Sequence, residues 1–433
     1  MESQKVNSFI VGETALLRLV ILLYFGSIML ISHLFSLPEL IMAVMASIFM
    51  MILPVFLGHD LLTFGKKYTF NIFRNLDAIS TLIIFWTIGS LFIYHLTIFS
   101  AALGLDFIIV IIMILAILVA GSLRENLSFR GIKLQHFLRP QETYKDDERI
   151  SAQELSVVEK VSFVFSESKS IRLLLVFIII VIGISATLLF RMYQPFPTFV
   201  TSEFQHFSKA LQIIDDLGNL VIAEKAYFVV IYCNQAIASF LFNVHPLPIL
   251  WVATFLQNVI VAGAIFATGM LIFKRTITSL ITAFFSVWIL GGAPVQNNPY
   301  VFSDGTLGSM FFILILYLIT KNLQKGSIQF NKKNLIITFL VSLGFPALIF
   351  IQRLVVWSDS TIATLFIPLV PFIIIIFKRD ELIYGGKFQF TIILLTAFTF
   401  LVMIHPHTAV LNIILASAYV ILWKLVINGR EHD

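Results

Sequence analysis

Between residues 191 and 225 a chain otherwise dominated by apolar runs turns polar, reading RMYQPFPTFVTSEFQHFSKALQIIDDLGNLVIAEK. Ser202 and Gln205 match the Ser-x-x-Gln capping box, with Ser202 as N-cap. A helix is expected from Glu203 to Leu217, closed by Gly218 at the position that takes the left-handed conformation. Phe204, Phe207, Leu211 and Ile214 share one face, as in a helix lying in a membrane interface. Glu203 and His206 stand one turn apart on a neighbouring face. Glu203 has two readings. It is an acid favoured by the helix dipole in the first turn, or a carboxylate held at the membrane surface as general base or substrate ligand. Asp215 and Asp216 occupy the end of the helix where negative charge is unfavourable. Solvation, Lys209 or a cation would offset them.

Further along, Asp304 closes a Pro- and Asn-rich loop. It is either the N-cap of a span beginning near Leu307 or a ligand for an acceptor or carrier group. Arg353, near Trp357 and Asp359, has the planar fork that clamps phosphate through two bonds. Snorkelling to the interface or a pair with Asp359 is the alternative. His405 and His407 flank Pro406 and suit either a phosphate contact or a polar turn. Two histidines at i, i+2 make a weak metal signal, and no metal site is expected.

These residues must be positioned by a membrane-embedded framework. The chain is 59% hydrophobic and 12% charged, against roughly 25% charged in soluble proteins. Its mean hydropathy is +0.96. Such a composition cannot cover a water-facing surface, so the bilayer is the expected solvent. The expected fold is all-α, a polytopic transmembrane bundle of about 12–13 spans. Candidate spans lie near 15–35, 38–58, 77–98, 103–121, 171–190, 226–242, 249–273, 277–293, 307–320, 335–352, 357–377, 390–404 and 408–427. A transmembrane β-barrel is excluded, because its strands would alternate polar and apolar residues. The single cysteine, Cys233, rules out an intrachain disulfide and multi-cysteine metal sites. The first span lacks a short core ending in a small-residue cleavage site, and is expected to stay as an anchor.

The net charge of +5 fits basic cytoplasmic loops better than nucleic-acid binding. Lys66, Lys67 and Arg74 mark one inside loop, the basic residues of 122–170 a second, Lys321 to Lys333 a third, and Lys378, Arg379 and Lys387 a fourth. The segment 191–225, the loop 294–306 and the His405–His407 corner then fall outside. Three candidate spans between 225 and 294 cannot join two outside loops. Either 226–242 is re-entrant, or it crosses and Lys274-Arg275 faces outside. Three parts are expected: a four-span segment 1–121, a cytoplasmic loop 122–170 with an amphipathic helix capped at Ser151, and a membrane part 171–433 with an interfacial helix in its first large outside loop.

The stretch Pro197-Thr198-Phe199-Val200-Thr201-Ser202-Glu203-Phe204-Gln205-His206 resembles the acidic motif of the first large outside loop in GT-C integral-membrane glycosyltransferases. The segments His245-Pro246-Leu247-Pro248 and Asn298 to Gly305 look similar to the next segments of that family. The resemblance covers about residues 170–320. It lacks the acidic pair, since Ser202 stands before Glu203, and four extra spans precede it. The resemblance implies inverting transfer of a sugar from a polyprenyl-phosphate carrier to an acceptor at the outer face of the cytoplasmic membrane. Glu203 would be the catalytic base, with His206, Lys209, Asp304, Arg353, His405 and His407 as substrate-binding residues. The lipid-linked sugar is then donor substrate and no separate cofactor is implied. Membrane lipids and envelope-assembly proteins are the expected partners. A polysaccharide polymerase or ligase and a lipid-linked-saccharide flippase are the alternatives. Ion-coupled transport is disfavoured, because charges cluster at span ends rather than mid-span.

Overall fold

The computed structural model describes residues 2–35, 37–64, 78–138, 169–193, 202–215, 217, 229–290, 304–324, 332–355, 361–384, 388–404 and 406–430. Among them every element is an α-helix, and the helices form an all-α bundle. In order these are α1 (Glu2–Leu34), α2 (Glu39–Thr63), α3 (Ala78–Ala102), α4 (Phe107–Leu138), α5 (Lys169–Tyr193), α6 (Ser202–Asp215), α7 (Val229–Phe242) and α8 (Pro246–Phe273). They continue as α9 (Thr276–Leu290), α10 (Asp304–Gln324), α11 (Lys332–Val355), α12 (Thr361–Phe377), α13 (Arg379–Tyr384), α14 (Gln389–Ile404) and α15 (Pro406–Arg430). Among the described residues, four helical stretches are long and apolar enough to cross a membrane: Glu39–Thr63, Ile79–Ala102, Phe107–Arg124 and Pro246–Phe273. Shorter apolar helices surround them.

The connections show why the chain turns where it does. After α3, Gly104 takes φ 68°. Its N–H bonds the Ala101 carbonyl at 3.0 Å while the Leu105 N–H reaches Ser100 at 2.8 Å. That pair of bonds satisfies carbonyls the helix end leaves open. Asn243 repeats the arrangement after α7, with φ 48° and the same two bonds to Phe240 and Ser239. His245 then caps α8, its Nδ1 accepting the Leu247 N–H at 3.2 Å. At the other end of α4 the expected boundary is corrected. The helix does not stop at residue 121 but runs to Leu138, so the first part of the expected loop 122–170 is helical. Residues 122–138 hold no proline, and their one glycine, Gly131, weakens a helix without ending it. The amphipathic helix expected from Ser151 lies outside the described residues.

Two ends of the bundle can be told apart from α2, which starts at Glu39 and finishes at Thr63. At the Thr63 end, Arg124 of α4 bonds the Thr63 carbonyl at 2.9 Å and its hydroxyl at 2.5 Å. Arg379, opening α13, donates to the Leu61 carbonyl at 3.1 Å. At the Glu39 end, Ser47 donates to the Ile249 carbonyl near the start of α8 at 3.0 Å. The His33 ring of α1 meets the Leu241 carbonyl at the close of α7, at 3.2 Å. These contacts fix helix directions. α5 runs antiparallel to α8, since Gly183 faces Val259 and Ile179 faces Gly263. It therefore ends at the Glu39 end, where α8 begins.

The segment between α5 and α8 leaves and returns at the same end. Val230, at the start of α7, lies at mid-bundle with Met50, Trp86 and Phe400. Phe240, near its finish, sets its ring edge-on to Phe107 in the first turn of α4, 5.8 Å away. The fourteen residues of α7 thus climb from the middle to the Glu39 end and do not traverse the bundle. Lys274-Arg275, which follows α8, falls at the Thr63 end.

Candidate functional site

The polar island forms a helix where expected. α6 begins at Ser202, in line with its capping box. Of the stripe expected to lie in the interface, Leu211 and Ile214 have described side chains, and those of Phe204 and Phe207 lie outside the described residues. Ala210, Ile213 and Leu217 are buried, whereas Leu211 and Ile214 are only half-buried. α6 sits against α7 and α8 rather than only on an apolar interface. The small Ala210 lets the helices approach, which is how helices associate where lipid supplies no hydrophobic drive. Lys209 lies over the Tyr232 ring of α7, 5.8 Å from its centroid, an arrangement that attracts a cation.

Helix polarity gathers several expected site residues at one end. Asp304 is the first residue of α10, Arg353 lies in the last turn of α11, and His407 is the second residue of α15. Phe311 meets Phe400 at 4.7 Å and Thr338 meets Thr391 at 2.7 Å, which orients α10 antiparallel and α11 parallel to α14. α14 itself leaves α13 at the Thr63 end, since Gln389 bonds the Leu382 carbonyl at 3.2 Å. So α10 and α15 start, and α11 finishes, at the Glu39 end. Glu203 and His206 belong to α6, the helix that comes after the emergence of α5 there. The side chains of Glu203, His206, Asp304, Arg353 and His407 lie outside the described residues, as do His405, Asp216, Gly218 and the 356–360 segment holding Asp359.

Behind this end, amides tie the helices together. Asn234 Nδ2 donates to Ser90 Oγ at 3.2 Å, joining α7 to α3. Gln235 Nε2 donates to the Pro246 carbonyl at 3.0 Å, joining α7 to α8. Asn258 Nδ2 donates to Thr187 Oγ1 at 2.7 Å, joining α8 to α5. All are buried, where such bonds have few competitors. No family model, curated protein or solved structure matches the chain.

A second polar cluster, not singled out from the sequence, lies at the Thr63 end. Arg18 of α1 grips Asp60 of α2 through two bonds, Nη1 to Oδ1 at 2.7 Å and Nη2 to Oδ2 at 2.5 Å. Both side chains are 5% exposed. His59 Nδ1 stands 3.3 Å from the same carboxylate, and the guanidinium covers the Phe56 ring at 5.2 Å. Gly121 of α4 presses on Asp60 so closely that a Cβ there would overlap the carboxylate. Two parallel N–H···O bonds give this pair fixed geometry as well as energy. Its signal in the sequence is faint: Arg18 opens the first apolar run and Asp60 ends the second, and nothing local links residues 42 apart.

Arg124 and Arg379 have a separate task beside that pair. The last carbonyls of any helix lack partners within it, and cations suit the negative end of its dipole. These two arginines reach across from α4 and α13 to close α2. Replacing Arg379 by Gln is expected to cost about 0.5–1.5 kcal/mol, the net worth of one such bond. Thermal unfolding in detergent reads this, and an unchanged midpoint would show that the contact contributes nothing.

Proposed function

We propose that the chain is a multi-pass protein of the cytoplasmic membrane that transfers a sugar from a polyprenyl-phosphate carrier at the outer face. The Glu39 end of the bundle is then the outer end. Glu203 is the general base, and His206, Lys209, Asp304, Arg353, His405 and His407 hold donor and acceptor. The observation that supports this reading is the polarity of the helices. It puts the start of α10, the end of α11 and the start of α15 at the end where α5 hands the chain to α6. Arg124, Arg379 and Lys274-Arg275 collect at the opposite end, as the positive-inside rule asks of a cytoplasmic face. The Asp304 carboxylate, at the first turn of α10, is favoured by the helix dipole whichever role it has.

Two measurements test the proposal. With a polyprenyl-phospho-sugar as donor, Glu203→Gln is expected to lose about 10²–10⁴-fold in transfer, the usual contribution of a positioned acid or base. It should retain wild-type expression and thermal stability. Full transfer by this variant would move the reading to a polymerase, ligase or flippase. A cysteine placed at position 405, in a chain carrying Cys233→Ala, is expected to react with an impermeant thiol reagent from outside. Labelling from the cytoplasmic side would remove the outer pocket altogether.

A further inference from the structure

A cavity of about 790 Å³ opens between α1, α2, α3, α5, α8 and α10, within the size range of small-molecule sites. It lies in the half of the bundle nearer the Thr63 end and away from α6. Trp86, Met51 and Leu314 close it at mid-bundle, and Ile79 in the first turn of α3 marks its other limit. Its walls are almost wholly apolar. Leu82, Val176, Ile180 and Ile260 line it and are themselves exposed, so they frame a mouth on the flank of the bundle. Phe266, which is buried, forms part of its depth. A flank opening of this kind faces hydrocarbon if the bundle sits in a membrane.

Charge is arranged at the Thr63 side of this cavity on three of the helices that build it. On α1, Arg18 precedes the lining residue Ile21 by one turn and lies on Phe56, another lining residue. On α5, Lys169 and Arg172 precede the lining residue Val176. On α8, Lys274 and Arg275 come after the lining residue Ala267, and both are exposed. Asp60 is already held by Arg18. Asp77, just before α3, lies outside the described residues.

We infer that this cavity binds one hydrocarbon chain of an anionic lipid, whose headgroup rests at the exposed Lys274 and Arg275. The apolar walls accept the chain by burial from the flank. Juxtamembrane Lys and Arg near a bilayer surface attract anionic headgroups. This site is separate from the sugar-transfer reading and stands or falls without it.

Gly263 lines the cavity and supplies a clean test. A Cβ built there meets only Ile179 Cγ2 at 3.8 Å, ordinary contact, so a larger side chain enters the open space. Trp86 supplies the probe. The full chain is reconstituted in phosphatidylcholine vesicles doped with brominated-chain phosphatidylglycerol or brominated-chain phosphatidylcholine, and tryptophan quenching is monitored. A Trp86→Phe control isolates the signal of this residue. Quenching of Trp86 is expected to saturate at a lower mole fraction of the anionic lipid. Gly263→Leu should abolish the saturable part, and Lys274→Gln with Arg275→Gln should weaken it about thirtyfold. Equal quenching by both lipids would overturn the anionic preference and leave ordinary bilayer contact. Saturable quenching retained in Gly263→Leu would overturn the site. Ala267→Leu serves if Gly263→Leu fails to fold, as judged by thermal unfolding.

Discussion

Asp60→Ala is expected to destabilise the bundle by about 3–5 kcal/mol, the usual loss when one partner of a buried ion pair is removed. The reason is what remains. Arg18 would keep its charge with 5% of its side chain exposed and without the carboxylate that takes its two bonds. Arg18→Ala should cost a similar amount by leaving the buried carboxylate beneath Gly121 without the two bonds of its guanidinium. The double replacement Arg18→Met with Asp60→Leu should recover much of the loss, because a well-filled apolar pair often matches a buried ionic one. Cys233 provides the measurement. It is the sole cysteine and is buried in α7, so a thiol-reactive dye reports unfolding as temperature rises. Single variants that melt with the wild type would show the pair to be solvated. A double variant worse than the sum of the singles would deny the coupling.

The second large effect is expected where α2 and α3 cross. A Cβ on Gly58 would overlap the Phe85 carbonyl, and a Cβ on Gly89 would overlap the Pro54 carbonyl. The contact is reciprocal: each helix offers a glycine and, four residues before it, a carbonyl. Small residues at a helix interface permit such backbone approach. Gly58→Ala or Gly89→Ala forces the helices apart, since backbone cannot swing aside as a side chain does. Overpacking costs about 1–3 kcal/mol in general, and these positions belong at the upper end. Gly58→Ala together with Gly89→Ala should cost less than the sum, because the first separation makes room for the second methyl. Gly26→Ala and Gly344→Ala are the controls, as nothing lies within 4 Å of a Cβ at either. The same dye-monitored melting decides the matter. If Gly58→Ala melts no earlier than Gly26→Ala, the close crossing is not needed.

Such contacts explain how much the residues alone reveal. Apolar runs mark the helices, most within a few residues of their bounds, because a run of that composition has no other way to satisfy its backbone in lipid. The start of α6 is visible in Ser202 and Gln205, a local signal. Its packing on the bundle through Ala210, Ile213 and Leu217 has no such local signal. The length of α4 is hidden because polarity at Arg124 and Glu125 looks like a loop, although polar residues continue a helix readily. The Arg18–Asp60 pair and the Gly58–Gly89 crossing leave no mark, since each depends on residues far apart in the chain. Most of the gathering of candidate residues at the Glu39 end rests on helix direction, which the basic loops already suggest.

The short course of α7, from mid-bundle to the Glu39 end, bears on how the chain is made. α7 is buried nearly all round, against α1, α2, α3 and α6 on one hand and α8 and α14 on the other. The first group leaves the ribosome before it and the second after it. Phe400, which closes the space beside Val230 and Asn234, is the last of these walls to be synthesised. At usual elongation rates the gap between α7 and α14 is on the order of ten seconds. Throughout that interval this short helix must wait half-covered while its amides hold to α3 and the start of α8. The order of translation thus asks the N-terminal helices to act as a cradle for α7 before the fold that encloses it exists.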